Sequence, residues 1–347
     1  MQKTPDAAGA SRAHAPEPPL MNPTQNVRHW RAIGMLVLAT AFWGLSFPTV
    51  KALALVHAAI QPGSGNWFTA SATVGPRFVI GTVVLLIIHL LFLRGSARRR
   101  TTPAEWRQGL LLGLFAAGGM ILQNDGLQFT AASTSAFLTQ LTAILIPLYV
   151  AFRMRKNPGW RVWFCCALVI TGVAILGQFD WRELRLGRGE FETLLGAFFF
   201  AGQILTLDRP EFAGNRVMRI TLVMFATEAV IYSIMAFATA PNLSALAAPW
   251  ASPAFIMLTL LLVVFCTFGA FFLMNAWQPK ITATEAGLVY CFEPIFGTLL
   301  ALFLPGLFSA AFGINYANET FTWTLLTGGA FITAANILLQ LKPPVKS

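Results

Sequence analysis

Two carboxylates stand deep inside apolar sequence, Glu293 in LVYCFEPIFGTLL and Glu228 in VMFATEAVIYSI. At mid-membrane an ionisable group costs ~2.5–3.5 kcal/mol on insertion scales, so by default it faces protein and carries a function. Pro294 follows Glu293; a proline removes a backbone donor, kinks a helix and frees carbonyls nearby. Tyr290, Glu293 and Gly297 share one helical face. This group reads as a substrate- or proton-binding carboxylate, or as a hydrogen-bonded structural hinge. Glu228, with Tyr232 one turn on, reads as a site for a cationic group or a proton, or as the partner of a basic residue on a neighbouring helix. Trp43, Phe47 and Lys51 share a face beside Pro48, and Trp43 lies deeper than an interfacial aromatic belt, which points to a cavity. Lys51, Arg77 and Asp125 fall in the outer third of their apolar runs. Together they would form an outer gate or an anion-attracting vestibule; for Arg77 the other reading is snorkelling to the interface. Of the amides in the runs, Gln140 and Asn275 join the candidate site, while Gln123, Asn124, Gln128, Gln203, Gln278 and Asn336 either line a path or bond helices together. Pro48, Pro147 and Pro294 are the expected kinks.

The four cysteines (Cys165, Cys166, Cys266, Cys291) have no metal-ligand spacing, and the histidines (His14, His29, His57, His89) do not cluster. No metal site is expected, nor a histidine-based hydrolase. No phosphate-cradling Gly-rich loop with Lys and Ser/Thr is present, so neither ATP hydrolysis nor a cofactor is expected.

The elements that must hold these residues follow from composition. Hydrophobic types make up 56% of 347 residues and charged types 11%. A soluble domain carries roughly 25% charged residues, so the surplus apolar surface here must face lipid. Ten apolar runs follow a Pro- and Ala-rich tail, at 32–53, 72–93, 107–127, 132–152, 160–178, 191–208, 217–239, 253–276, 283–304 and 321–341. Each approaches the ~20 residues that span ~30 Å of hydrocarbon as a helix. Only helices satisfy their own backbone in lipid, so the expectation is an all-α integral membrane protein of ten transmembrane helices. With the N-terminus inside, nineteen Lys and Arg fall inside and only Arg182, Arg185 and Arg188 outside. That bias places both termini in the cytoplasm. It also accounts for the net charge of +10 without nucleic-acid binding. Met21 offers a second start.

The halves resemble each other. GLQFTAASTSAFL (126–138) and AWQPKITATEAGL (276–288) align Gln128 with Gln278, Thr134 with Thr284 and Ala136 with Ala286. Loop charges invert between the halves, as five runs per half require. Residues 1–31 and 342–347 are then cytoplasmic tails, 32–178 a first repeat and 179–341 a second, inverted one. Inverted five-helix repeats mark alternating-access transporters, with the site between the halves.

The chain resembles the drug/metabolite transporter superfamily, specifically its ten-helix EamA-type members. The likeness rests on AFWGLSFPTVKAL (41–53), PRFVIGTVVLLI (76–87), GLQFTAASTSAFLTQLTAILIPLYVAF (126–152), RVWFCCALVITGVAILG (161–177), TEAGLVYCFEPIFGTLLALF (284–303) and ETFTWTLLTGGAFITAANILL (319–339). RMRKNPGW (153–160) lacks the family's frequent Gly-Glu, and the loops after runs one and nine are long. The resemblance implies a secondary transporter or exporter of small metabolites, amino-acid-like or drug-like, in the cytoplasmic (inner) membrane. Its cavity would be lined by runs 1, 3, 4, 6, 8 and 9, its partners being the solute and lipid, with or without a coupled H+, as monomer or homodimer and with no enzymatic activity. The rival classes are an intramembrane enzyme acting on lipid-linked groups, for which no acid/base pair or nucleophile dyad is present, and a non-transporting receptor.

Overall fold

The computed structural model describes residues 23–92, 100–153, 155, 159–176, 186–281 and 283–340, and among them there is no strand. The first run lies within α1 (Pro23–Ile60), which continues through Pro48. Next come α2 (Asn66–Phe92) and α3 (Pro103–Gly126). Thr102 and Glu105 start α3 by exchanging bonds: the Thr102 hydroxyl accepts from the Glu105 amide at 3.2 Å, and Glu105 Oε2 accepts from the Thr102 amide at 2.8 Å. Pro103 fills the first helical position, where no amide donor is needed.

Run four is broken into α4 (Ala132–Thr139) and α5 (Thr142–Arg153). Then follow α6 (Trp160–Leu176), α7 (Arg188–Leu207), α8 (Val217–Thr239) and a short α9 (Leu243–Ala247). Run eight is α10 (Pro253–Leu261), a wider π-helical stretch Leu262–Gly269, and α11 (Ala270–Trp277). Run nine is broken too, into α12 (Ala283–Tyr290) and α13 (Phe292–Ala301). The chain then forms α14 (Leu304–Phe312) and α15 (Trp323–Gln340).

Among the described residues six helices are long and apolar enough to cross a membrane, or seven if α13 and α14, bent by 46°, make one span. The expected ten is therefore not reached by length and composition. One reason is α3. It packs between α7 and α8 and buries Glu105, Gln108, Gln123, Asn124 and Asp125, so its sequence answers to protein neighbours more than to lipid. Two others, α6 and Trp323–Leu338 of α15, are apolar but short. The tails at 1–22 and 342–347, and the basic residues Arg94, Arg98, Arg99, Lys156, Arg182 and Arg185, lie outside the described residues.

Lipid-type surface is plain on α2, where Val79, Val83, Leu86 and Leu90 are all exposed at three- and four-residue spacing. Inside, α2 packs on α8, α3 on both α7 and α8, α6 on α15, and α1 on α11 and α13. Two crossings need glycine for close approach. A Cβ on Gly44 would stand 2.7 Å from the Gly297 amide nitrogen, and one on Gly172 would stand 2.7 Å from the Gly328 carbonyl. Where lipid supplies no hydrophobic drive between helices, such small-residue contacts hold them together by van der Waals packing.

Candidate functional site

The breaks in runs four and nine meet at one cavity. Regular α-helix is interrupted at Gln140–Leu141, between α4 and α5, and at Cys291, between α12 and α13. Gln140 and Tyr290, one at each break, both line a cavity of about 70 Å³. At ~10–15 Å³ per water in this measure, that is room for a handful of waters. Glu293 enters it from the first turn of α13. Pro294 sits one residue further into that first turn, where a missing amide donor costs no helix bond. The break thus precedes the proline. In run four it likewise precedes Pro147, and α1 passes Pro48 unbroken.

Four helices supply most of the wall, each through two residues three positions apart. Trp43 and Ser46 come from α1, and Phe200 and Gln203 from α7. Met120 and Gln123 come from α3, and Phe271 and Met274 from α11. Thr139, Gln140 and Thr142 from the α4–α5 break face Tyr290 and Glu293. The wall therefore draws on runs 1, 3, 4, 6, 8 and 9, the six that the family resemblance implies. Trp43 stands edge-on to Phe271 and to Tyr290, with ring centroids 5.7 Å apart in both cases. The Tyr290 hydroxyl donates to Gln278 Oε1 at 2.6 Å, and Gln123 Nε2 donates to Thr139 Oγ1 at 2.9 Å. Gln140 Oε1 and Gln203 Nε2 are buried with no hydrogen-bond partner among the described residues. No described residue bonds Glu293 either.

The other sequence candidates lie elsewhere. Asn275 points away from the cavity, its Nδ2 donating to Thr221 Oγ1 at 3.0 Å. Glu228 is fully buried between α2 and α8, and both its oxygens lack a hydrogen-bond partner among the described residues. Arg77 lies beside it. Gly75 faces Tyr232 and Gly81 faces Phe225, so the two helices run antiparallel with Arg77 and Glu228 level, and the two groups act on each other electrostatically. Arg77 is 1% exposed and donates through Nη2 to the Met120 sulfur at 3.1 Å. It does not snorkel.

The structure does not gather Lys51, Arg77 and Asp125 into one cluster. Lys51 donates to the Thr130 carbonyl, with Glu190 and Glu319 as charged neighbours. Asp125 pairs with Arg188, which also holds Glu192 at 2.8 Å. Lys51 and Asp125 thus belong to one end of the bundle through α7, while Arg77 is buried mid-bundle.

Two latches escape a reading of the apolar runs. At the Lys51 end, Glu319 accepts from the Ala132 amide at 2.7 Å and from the Ser133 hydroxyl, capping α4 from the loop before α15. At the other end, Glu105 takes Arg216 Nε at 2.7 Å and Nη2 at 2.8 Å, a two-pronged pair across α3 and α8. Bonds from Arg216 pull the Glu105 carboxyl down to about 2. Thr102-Pro-Ala-Glu105 was the legible signal for the second; the first joins residues 187 positions apart and left no local trace.

The model of the EamA-like transporter family matches residues 30–178. The chain carries an EamA-like segment. That segment is similar to the EamA-like transporter family, and six or seven spans' worth of long apolar helices among the described residues fit a multi-pass membrane protein. No curated protein matches the sequence. One solved structure, titled only "Crystal structure of protein", superposes over 86% of this chain and 96% of its own with a TM-score of 0.52. At 16% identity it speaks to the fold alone.

Proposed function

We propose that this EamA-like protein is a secondary transporter of small metabolites, working by alternating access around the Glu293 cavity. It crosses the cytoplasmic membrane ten times as two inverted five-helix repeats, with both termini inside. Transport runs on a proton or solute gradient, without catalysis, cofactor or nucleic acid, in a monomer or homodimer.

The observation that carries this is the pairing of the cavity wall. Trp43/Ser46 against Phe200/Gln203, Met120/Gln123 against Phe271/Met274, and the Gln140 break against the Tyr290 break are what two copies of one five-helix unit would contribute. Helix packing has the same duplicity. Run 3 on run 6 answers run 8 on run 1, run 4 on run 6 answers run 9 on run 1, and runs 2 with 7 and 5 with 10 pair with themselves. The Gly172–Gly328 crossing lies on the last of these. Broken helices at a central site between inverted repeats are the usual architecture of rocking transporters. In this orientation Glu319 latches the outer end and Glu105–Arg216 the inner end, and both must yield in turn.

The test is uptake and efflux of a panel of amino acids, nucleosides, sugars and organic cations in proteoliposomes, with and without a pH gradient. Wild type and Glu293→Gln are compared. Saturable movement that the substitution abolishes supports the reading. Intact transport in Glu293→Gln removes Glu293 from the site, and no movement of any solute favours a receptor or an enzyme.

A further inference from the structure

We infer that the Glu293 cavity selects a small solute bearing a protonated amine and an apolar body, without a free carboxylate. This rests on the transporter reading and narrows it. Among the described residues Glu293 is the one charged group in the wall, and no described Lys, Arg or His joins it. The buried cation Arg77 is not in the wall: it touches the sulfur of Met120, which is, and Glu228 acts on it electrostatically. A carboxylate in a confined, largely apolar cavity calls for a counter-charge or a hydrogen-bond donor. An ammonium supplies both. Trp43, Tyr290 and Phe271 line the same cavity and pack edge to face on one another, and a cation over Trp or Tyr is attracted by the ring quadrupole. Gln140 Oε1 is an unsatisfied acceptor for a second N–H.

The same features reject a carboxylate on the solute. A carboxylate in this space would meet Glu293 and no cation. The start of α13, where amide donors and the helix dipole would favour an anion, already carries Glu293 in its first turn. An amine therefore fits where the corresponding amino acid does not.

The experiment is equilibrium binding of radiolabelled phenethylamine to the full-length protein in detergent at pH 7. Competition is by unlabelled phenethylamine, phenylalanine, 2-phenylethanol and phenylacetate. The expected result is saturable binding, with phenylalanine and phenylacetate weaker competitors by about 100-fold or more. Glu293→Gln should bind about 10- to 100-fold more weakly, the usual worth of one charge-assisted bond, while melting like wild type. Gln140→Leu gives a second, smaller loss that does not depend on Glu293. Wild type that melts normally yet binds no phenethylamine overturns the proposal. So does competition by phenylalanine or phenylacetate as strong as that of the amine, or full affinity in Glu293→Gln. The transport reading fails separately: if the amine binds as expected but neither it nor any panel solute moves in proteoliposomes, the ligand class stands and transport does not.

Discussion

Replacing Glu105 by Gln keeps the shape of the inner latch and removes its charge. Glu105 has a side-chain exposure of 2% and accepts four bonds: Arg216 Nε at 2.7 Å, Arg216 Nη2 at 2.8 Å, the Arg216 amide at 3.1 Å and the Thr102 amide at 2.8 Å. Its carboxyl falls from 4.5 to about 2, chiefly through the Arg216 side chain. At 1.36 kcal/mol per pKa unit the ionised form is favoured by ~3 kcal/mol, a ceiling that solvent at Arg216 lowers to ~2–3 kcal/mol. The sign follows from the direction of the shift. A depressed carboxylate stabilises fully above its unfolded value near 4.5, less as pH falls, and not at all below about 2. Glu105→Gln should therefore melt well below wild type in detergent at pH 7. The gap should shrink to under half by pH 3, where the unfolded carboxyl is protonated and the folded one is still charged. The assay is thermal unfolding of both proteins, scanned at one rate because membrane proteins often unfold irreversibly. A variant that melts with wild type at pH 7 refutes the latch. A gap of the same size at pH 7 and pH 3 refutes the charge as its cause.

Three further outcomes are expected. Glu319→Ala uncaps α4 and should expose amides 132–135 to hydrogen exchange about tenfold faster, since losing a cap costs ~1 kcal/mol or somewhat more; unchanged exchange there would remove the outer latch. Arg77→Glu or Glu228→Arg alone should lower folded yield sharply, because each places two like charges near one another in a buried site, where uncompensated charge is costly, whereas the double swap should restore much of it. If the swap is no better than the singles, the two side chains do not answer each other. Gly44→Val drives a side chain into Gly297 and Phe296 and should cost ~1–3 kcal/mol of stability by overpacking, read as a lowered melting temperature; wild-type melting would mean that α1 and α13 separate freely.

The membrane class and the positions of the apolar runs were legible without coordinates, because lipid acts on each run by itself. Any helix that meets hydrocarbon must be apolar for its own length. The same logic marked Glu293, Glu228 and Arg77, charges that stand out against such runs. At α3, read as the apolar run 107–127, packing on α7 and α8 admits Gln123, Asn124 and Asp125, and the helix is not among those apolar enough to cross a membrane by length and composition. Partnership is a different kind of fact. That Arg77 lies level with Glu228, that Asn275 turns to Thr221 while Phe200 and Phe271 turn to the cavity, and that Lys51 and Asp125 are joined through α7 without Arg77 all depend on rotation and register between helices far apart in sequence. Runs four and nine show the boundary. Their apolar length was readable, and Pro147 and Pro294 suggested kinks. The breaks instead fall at Gln140 and Cys291, beside the cavity, where the packing of four other helices fixes which turn is left open. Hydropathy marks, run by run, which segments suit lipid; which polar groups share a space depends on packing, because that space exists only once helices from both halves enclose it.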